Sequence, residues 1–170
     1  MNTKTNMKLV AMLAATVLIA GCHSKSETAS ETDGSMNGAG TQSSSTAIPG
    51  SQADLSQNVG DRIFFPLNQS DLSQEARQTL DRQAAWLKRY PSVRVTIEGH
   101  CDERGTREYN MALGARRANS ARAYLVALGV DGSRMQTISY GAERPAVLGT
   151  GEDVWQQNRR AVTVVAQAGS

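Results

Sequence analysis

The chain has 170 residues and a mass of 18.2 kDa, which is enough for one ordinary domain and an additional segment. Its formal net charge is +2, but Lys4 and Lys8 place two positive charges in the first 21 residues, which contain no acid. The rest of the chain therefore carries no net charge. This composition excludes non-specific binding to nucleic acid, which requires a basic surface.

Residues 1–21 have the pattern of a secretion signal. Lys4 and Lys8 precede an apolar run over residues 9–20 that is too short to span a bilayer. The sequence Leu-Ile-Ala-Gly-Cys at residues 18–22 resembles the bacterial lipobox, in which a peptidase cuts before a lipid-modified cysteine. We therefore expect Cys22 to become the first residue and to carry several acyl chains, which together make a durable membrane anchor. The alternative is an ordinary signal peptide with an incidental cysteine.

Residues 22–58 predict a flexible tether. They are rich in Ser, Thr, Gly, Ala and Gln, contain few large apolar side chains, and therefore cannot bury a core of their own. A flexible chain of this length has a root-mean-square span of about 35 Å. His23 stands directly after the cysteine, where lipoproteins retained in the inner membrane often carry Asp, so the anchor is expected in the outer membrane.

Residues 59–170 predict one α+β domain with elements in the order βαβαββ. Helical spacing predicts a helix that Ser73 caps and Tyr90-Pro91 ends, and a second that Thr106 caps and Gly129 ends. Strands are predicted over residues 62–65, 93–98, 135–140 and 160–166, with a polar connection over 99–105 and room for a helical turn near Trp155. The two main helices should cover one face of a small mixed sheet and leave the other partly solvated.

Arg117 is predicted on the apolar face of the second helix. At about 100° per residue it falls about 40° from Leu113, whereas Arg116 falls off the apolar stripe. A buried guanidinium needs an acceptor, and Asp102 in the preceding polar turn is the nearest candidate along the chain. Two interpretations stay open. Asp102 and Arg117 either pair with each other, or together bind a zwitterion, with aspartate taking an ammonium and arginine a carboxylate.

Several short motifs follow one another at characteristic spacings between residues 61 and 166. They include Gly-His-Cys-Asp-Glu-Arg-Gly-Thr at 99–106, Arg-Arg-Ala at 116–118, Tyr-Gly-Ala-Glu-Arg-Pro at 140–145 and Asn-Arg-Arg at 158–160. This set resembles the signature of OmpA-like peptidoglycan-binding domains. The resemblance implies that Asp102 binds the amine and Arg117 the carboxylate of meso-diaminopimelate in the wall peptide, with added backbone hydrogen bonds around Gly105 and Thr106.

Two positions depart from the family pattern. Leu67-Asn68 replaces the Phe-Asp that many relatives carry after the first strand, so a ligand contact by Asn68 is reduced to an amide contact or lost. Cys101 stands where relatives mostly carry Ala or Thr. Because Cys101 shares strand parity with Val95 and Ile97, we expect a buried, inert thiol, the alternative being a cysteine that pairs between molecules.

With its lipobox and tether, the chain as a whole resembles the lipid-anchored members of this family. The resemblance implies a protein anchored in the inner leaflet of the outer membrane, with its domain in the periplasm bound to peptidoglycan. It further implies TolB and other Tol-system proteins as partners, and roles in envelope integrity and constriction at cell division. The alternative is a protein-binding module of the Tol system in which Asp102 and Arg117 are only structural.

An enzyme such as a wall hydrolase is the remaining alternative, because the run His100, Cys101, Asp102 and Glu103 contains residue types that serve as nucleophile, acid and base. Neighbouring strand residues point to opposite faces, so His100 and Cys101 cannot form the hydrogen bond that activates a thiol. A zinc site is disfavoured because His23 and His100 are the only histidines. We therefore predict a protein that is not an enzyme and needs no metal or other cofactor, and we expect Trp86 and Trp155 in the core.

Overall fold

The computed structural model of the protein describes residues 47–166. The predicted signal, Cys22 and the predicted tether up to residue 46 lie outside the described residues. Within residues 47–166, no helix is both long enough and apolar enough to cross a membrane.

The described residues form a single mixed sheet with helices. In chain order the elements are α1 (Gln52–Asp54) with a π-helical continuation (Leu55–Val59), β1 (Arg62–Phe64), α2 (Gln74–Arg89), β2 (Val95–His100), α3 (Arg107–Ala127), a 3-10 turn (Gly132–Arg134), β3 (Met135–Gly141), α4 (Glu152–Asn158) and β4 (Arg160–Val165). The predicted α+β fold and its strand and main-helix order are confirmed. Helix α4 extends the helical turn expected near Trp155.

The strands lie in the order β1-β4-β2-β3. β2 and β3 are parallel, whereas β4 runs antiparallel to both β1 and β2. β2 begins two residues later than predicted and also ends two residues later. The later end arises because Gly99 and His100 pair with β3, through a register shift, instead of belonging to the connection. The strand therefore ends directly before Cys101 and Asp102.

The two long helices begin and end where their capping residues predict. The Ser73 hydroxyl accepts a hydrogen bond from the Ala76 amide (3.2 Å), and the Thr106 hydroxyl accepts one from the Tyr109 amide (3.2 Å). Gly129 follows α3 with φ of 88°, the left-handed conformation that glycine adopts without steric cost. These local signals set the first residue of α3 one turn after Asp102.

The core lies between the sheet and the long helices. Its largest fully buried apolar side chains are Leu55, Leu80, Leu87, Val95, Ile97 and Leu125. α3 crosses β2 where each has a glycine, and a Cβ atom on Gly99 would overlap the carbonyl oxygen of Gly114. This close approach holds α3 directly on β2 and so fixes Arg117 relative to the end of that strand.

The folded part begins earlier than the predicted boundary after residue 58. Leu55 is fully buried, and the Asp54 carboxylate accepts hydrogen bonds from the Trp86 indole (2.9 Å) and the Gly50 amide (2.9 Å). The Gln52 side chain accepts a hydrogen bond from the Val165 amide (2.7 Å) at the end of β4. One leucine in a polar stretch creates no periodic pattern, so the sequence predicts residues 52–58 as part of the tether.

Candidate functional site

Arg117 lies fully buried in α3, and its guanidinium is held by backbone carbonyls. Nε donates to Gln69 O (2.9 Å), Nη1 to His100 O (2.8 Å) and Nη2 to Pro66 O (3.1 Å). The Phe65 ring centre lies 5.1 Å from the guanidinium carbon. Burial lowers the pKa of Arg117, although an arginine keeps its proton in any protein environment. Arg116 is exposed, as its position on the helix predicts.

Asp102 is also buried, but it does not pair with Arg117. Its Oδ1 accepts hydrogen bonds from the Arg104 amide (3.1 Å) and Arg104 Nε (3.1 Å). Its Oδ2 accepts from Arg104 Nη2 (2.6 Å) and Arg159 Nη1 (3.3 Å). The interpretation in which Asp102 and Arg117 pair with each other is therefore wrong. They are linked through the backbone, because Arg117 binds the carbonyl of His100, two residues before Asp102.

The charge state of Asp102 follows from these contacts. Burial by itself raises the pKa of the Asp102 carboxyl, but hydrogen bonds from the side chain and amide of Arg104 and from Arg159 outweigh it. The pKa therefore lies below its ordinary value, and Asp102 is ionised at neutral pH. The site thus holds a negative and a positive group, each desolvated and each satisfied by its own set of partners.

Arg104, Arg159 and Trp155 complete the surroundings of Asp102, and no sequence pattern predicts that they meet there. Arg159 reaches Asp102 from the start of β4 and also donates to Phe65 O (3.0 Å) and to Glu152 Oε1 (2.6 Å). The Arg104 guanidinium carbon lies 4.0 Å from the centre of the Trp155 ring. Trp86 is buried as expected, but Trp155 is only partly buried because its ring forms a surface platform under Arg104.

Gly105 and Thr106 form the connection from the Asp102 turn to α3. Gly105 has φ of 101°, a conformation that favours glycine, and Thr106 caps the helix. The Asn110 side chain donates to Arg104 O (3.0 Å) and holds the turn against the first helical turn. Gly105 and Thr106 are both exposed next to Asp102. This placement is compatible with the backbone contacts expected of them.

Asn68 lies in the loop that covers Arg117. The Gln69 amide donates to Pro66 O (3.3 Å), and Asn68 inside this turn has φ of 56°, a left-handed conformation that asparagine tolerates better than most residues. Its side chain is exposed. The carbonyls on either side of it, from Pro66 and Gln69, are the ones that bind Arg117, so the loop and the arginine position each other.

Cys101 and His100 occupy separate environments. The Cys101 thiol is buried, as predicted, and lies 3.3 Å from Asn110 O, and burial raises its pKa. The buried His100 ring stacks on Tyr140 with centroids 5.5 Å apart. Burial, helped by the positive charge of Arg160, lowers the pKa of His100 to about 4. Among residues 47–166 no group of three His, Cys, Asp or Glu side chains is arranged to hold a metal ion.

Comparisons with known proteins identify relatives over the whole chain. A family model described as OmpA family matches residues 64–159. A protein named peptidoglycan-associated lipoprotein from Rhizobium meliloti (strain 1021) is 51% identical over 170 residues, covering 100% of this chain and 94% of that protein. A protein of the same name from Mesorhizobium japonicum is 52% identical over 162 residues, covering 95% of this chain and 91% of that protein.

A solved structure agrees with these matches. The crystal structure of the peptidoglycan-associated lipoprotein from Burkholderia pseudomallei matches with a TM-score of 0.64 and 35% identity, covering 67% of this chain and 98% of that one. These relatives are lipoproteins by name and not enzymes, which confirms the prediction that the chain is not an enzyme.

Proposed function

The chain belongs to the OmpA family and, within it, to the peptidoglycan-associated lipoproteins, and from this membership we propose that it binds peptidoglycan non-covalently and ties it to a membrane. The observation that carries the proposal is the juxtaposition of two desolvated, opposite charges at the end of β2. Arg117 Nη1 binds the His100 carbonyl (2.8 Å), and the ionised Asp102 follows two residues later.

The proposed ligand is the zwitterionic end of meso-diaminopimelate in the wall peptide. Asp102 receives the ammonium, since a desolvated carboxylate binds a cation more strongly than an exposed one. Arg117 receives the carboxylate, which takes the place of a loop carbonyl from Pro66 or Gln69 on the guanidinium. Backbone groups at Gly105 and Thr106 add hydrogen bonds.

Asn68 lies in the loop that makes way for the carboxylate. In the proposal its exposed amide contributes at most a weak contact to the ligand. The loop carbonyls beside it already bind Arg117, so its main effect is on the position of this loop.

The proposed cellular role is that of a tether. Acyl chains on Cys22 hold the protein in the inner leaflet of the outer membrane, and the segment from residue 23 to about 46 lets the periplasmic domain reach the wall. Many weak wall contacts add up to firm attachment, because each anchored domain has a high effective concentration near the wall. TolB and other Tol-system proteins are the proposed protein partners, in support of envelope integrity and constriction at cell division.

One observation favours the alternative of a protein-binding module. Arg104, Arg159 and Glu152 already satisfy Asp102 and one another, so the charged cluster could serve only to hold the Asp102 turn against α4. In that case the domain would act through its protein partners, and Asp102 and Arg117 would have structural roles alone.

The test is sedimentation of the full chain with purified peptidoglycan that contains diaminopimelate. Asp102→Asn keeps the shape of the side chain and removes its charge, and Arg117→Lys keeps the charge and removes the fork of donors. The exposed residues Asp71 and Arg116 supply the matched controls Asp71→Asn and Arg116→Lys.

We expect the two site variants to bind about tenfold more weakly or worse, since each loses a charge-assisted hydrogen bond. The controls should bind like the wild type. Circular dichroism checks that each variant is folded. Equal binding by the folded Asp102→Asn and Arg117→Lys proteins would contradict the proposal and favour the protein-binding module.

A further inference from the structure

We propose that Arg104 is a resident cation that occupies the ammonium position on Asp102, and that the wall ligand binds by exchanging its own ammonium for this guanidinium. The inference rests on the proposed function, because it concerns how Asp102 receives the amine of the wall peptide. It assigns to Arg104 the role of a specificity-determining residue.

Asp102 has no free hydrogen-bonding face. Its side chain is 5% exposed, and its two oxygens accept four hydrogen bonds, three of them from Arg104 and one from Arg159. An ammonium can therefore approach an oxygen of Asp102 only if one of these donors leaves. The site is occupied by the protein itself before any ligand arrives.

Of the donors to Asp102, the Arg104 side chain is the one that can leave. Arg159 is held at three points, by Asp102, Phe65 O and Glu152, and its side chain is only 7% exposed. The side chain of Arg104 is 33% exposed, and its partners are Asp102, the upper face of Trp155 and Glu152. Solvent reaches Arg104, and a ligand that arrives from solvent meets it first.

An Arg104 side chain displaced from Asp102 still has a carboxylate nearby. Arg104 Nη1 lies 3.8 Å from Glu152 Oε2, and the Glu152 side chain is 60% exposed. A small rotation takes the guanidinium from Asp102 to Glu152 across the Trp155 ring, where the cation–π contact persists. The exchange therefore gives Asp102 a new counter-ion while Arg104 keeps its ion pair with Glu152.

The consequence for specificity is a requirement for positive charge in the ligand. A neutral group cannot take the place of the Arg104 side chain, because the desolvated Asp102 would lose its closest counter-ion and keep only the Arg104 amide and the longer contact to Arg159. A peptide with a free amine can replace the guanidinium, and one with an acetylated amine cannot. The measured affinity for the amine equals the intrinsic affinity multiplied by the fraction of molecules in which Arg104 does not cover Asp102.

The experiment measures binding of the tripeptide L-Ala-γ-D-Glu-meso-diaminopimelate to the full chain in detergent by isothermal titration calorimetry. The variant is Arg104→Gln, and the matched control is Arg107→Gln. Arg107 lies three residues further along, its side chain is 69% exposed, and it pairs with Glu143 (2.6 Å) instead of Asp102. Both variants remove one positive charge from the same end of α3.

We expect Arg104→Gln to bind the tripeptide about three- to tenfold more tightly than the wild type, as expected for removal of a partly exposed competing ion pair. Arg107→Gln should match the wild type. The wild type should reject the tripeptide whose side-chain amine is acetylated, and Arg104→Gln should discriminate less between the two peptides.

A second measurement needs no variant at Arg104. Because the Arg104 guanidinium changes its position over the Trp155 ring when it moves from Asp102 to Glu152, the tryptophan emission of the wild type should change during the titration, and Trp155→Phe should abolish that change. Wild-type binding with equal or weaker binding by Arg104→Gln would overturn this inference and leave the proposed function standing. Failure of both the wild type and Arg104→Gln to bind the tripeptide would overturn both.

Discussion

The guanidinium of Arg117 is satisfied by carbonyl oxygens and not by a carboxylate. The oxygens of Pro66, Gln69 and His100 meet its hydrogen-bonding needs but leave its charge uncancelled. A carboxylate partner would have neutralised the arginine and removed its attraction for an anion. A buried arginine that keeps its full charge is therefore suited to receive one, which a surface arginine paired with an acid is not.

His100 is a buried titratable group that affects the stability of the domain. Neither ring nitrogen has a hydrogen-bond partner, although Glu98 Oε2 lies 3.4 Å from Nε2. Arg160 and Arg144 are nearby, and their positive charges disfavour protonation of His100. The folded pKa of about 4 lies below the ordinary 6.5, so between these values the unfolded chain binds more protons than the native one.

We predict that His100 makes the domain less stable as the pH falls. The free energy of unfolding of the wild type should drop by about 2 kcal/mol more than that of His100→Gln between pH 7 and pH 4.5. Urea titration at the two pH values measures this difference. His23→Gln, at the only other histidine, is the control and should follow the wild type. Parallel curves for wild type and His100→Gln would contradict the account.

At the scale of elements, the crossing of α3 over β2 determines where the site forms. Gly99 and Gly114 face each other without side chains, so the helix backbone rests on the strand backbone. A larger distance between the α3 and β2 backbones would move Arg117 away from the His100 carbonyl that it binds. The two glycines therefore act on the site without contacting any ligand.

We predict that Gly99→Ala costs at least about 2 kcal/mol of stability and weakens wall binding, because the new methyl group meets the rigid carbonyl of Gly114. Gly132→Ala is the matched control, since its methyl group would meet the Arg122 guanidinium end, which can shift. Thermal or urea unfolding and peptidoglycan sedimentation measure the two effects. A Gly99→Ala protein with wild-type stability would contradict this prediction, because it would show that the contact between α3 and β2 accommodates a methyl group.

The parts of the fold that were predicted correctly depend on local chemistry. Ser73, Thr106 and Gly129 mark helix ends within a few residues of themselves, and the position of Arg117 on its helix follows from helical periodicity alone. The end of β2 was placed too early because Gly99 normally favours turns, whereas here it serves a close helix contact. The pairing of Asp102 with Arg159 joins residues 57 positions apart, and no periodic pattern spans such a distance.

At the scale of the whole molecule, the segment before β1 is part of the domain. Leu55 is fully buried, and the Trp86 indole binds Asp54 at 2.9 Å. A soluble fragment that starts at residue 59 therefore lacks a piece of its own core, although composition alone places the domain boundary there. Binding experiments on such a fragment would measure a weakened protein.

We predict that a fragment of residues 47–170 is more stable than one of residues 59–170 by at least about 3 kcal/mol, the usual cost of losing a buried leucine and its packing. Leu55→Ala in the longer fragment should reproduce most of the loss, and Ser56→Ala, at an exposed position, should have little effect. Urea unfolding gives the free energies. Equal stability of the two fragments would show that residues 47–58 contact the domain without contributing to its free energy of unfolding.

The contact between Gln52 and the end of β4 decides how the domain responds to force. Val165, whose amide binds Gln52, lies opposite Val95 at the start of β2, whereas Asp102 follows the end of that strand, about 20 Å away. In the proposed tether, the pull of the membrane anchor would reach the sheet near the start of β2, and the pull of the wall would act near the end of that strand. The load would then run along the strands, so that neighbouring hydrogen bonds of the sheet share it, whereas a load across the strands would break them one at a time.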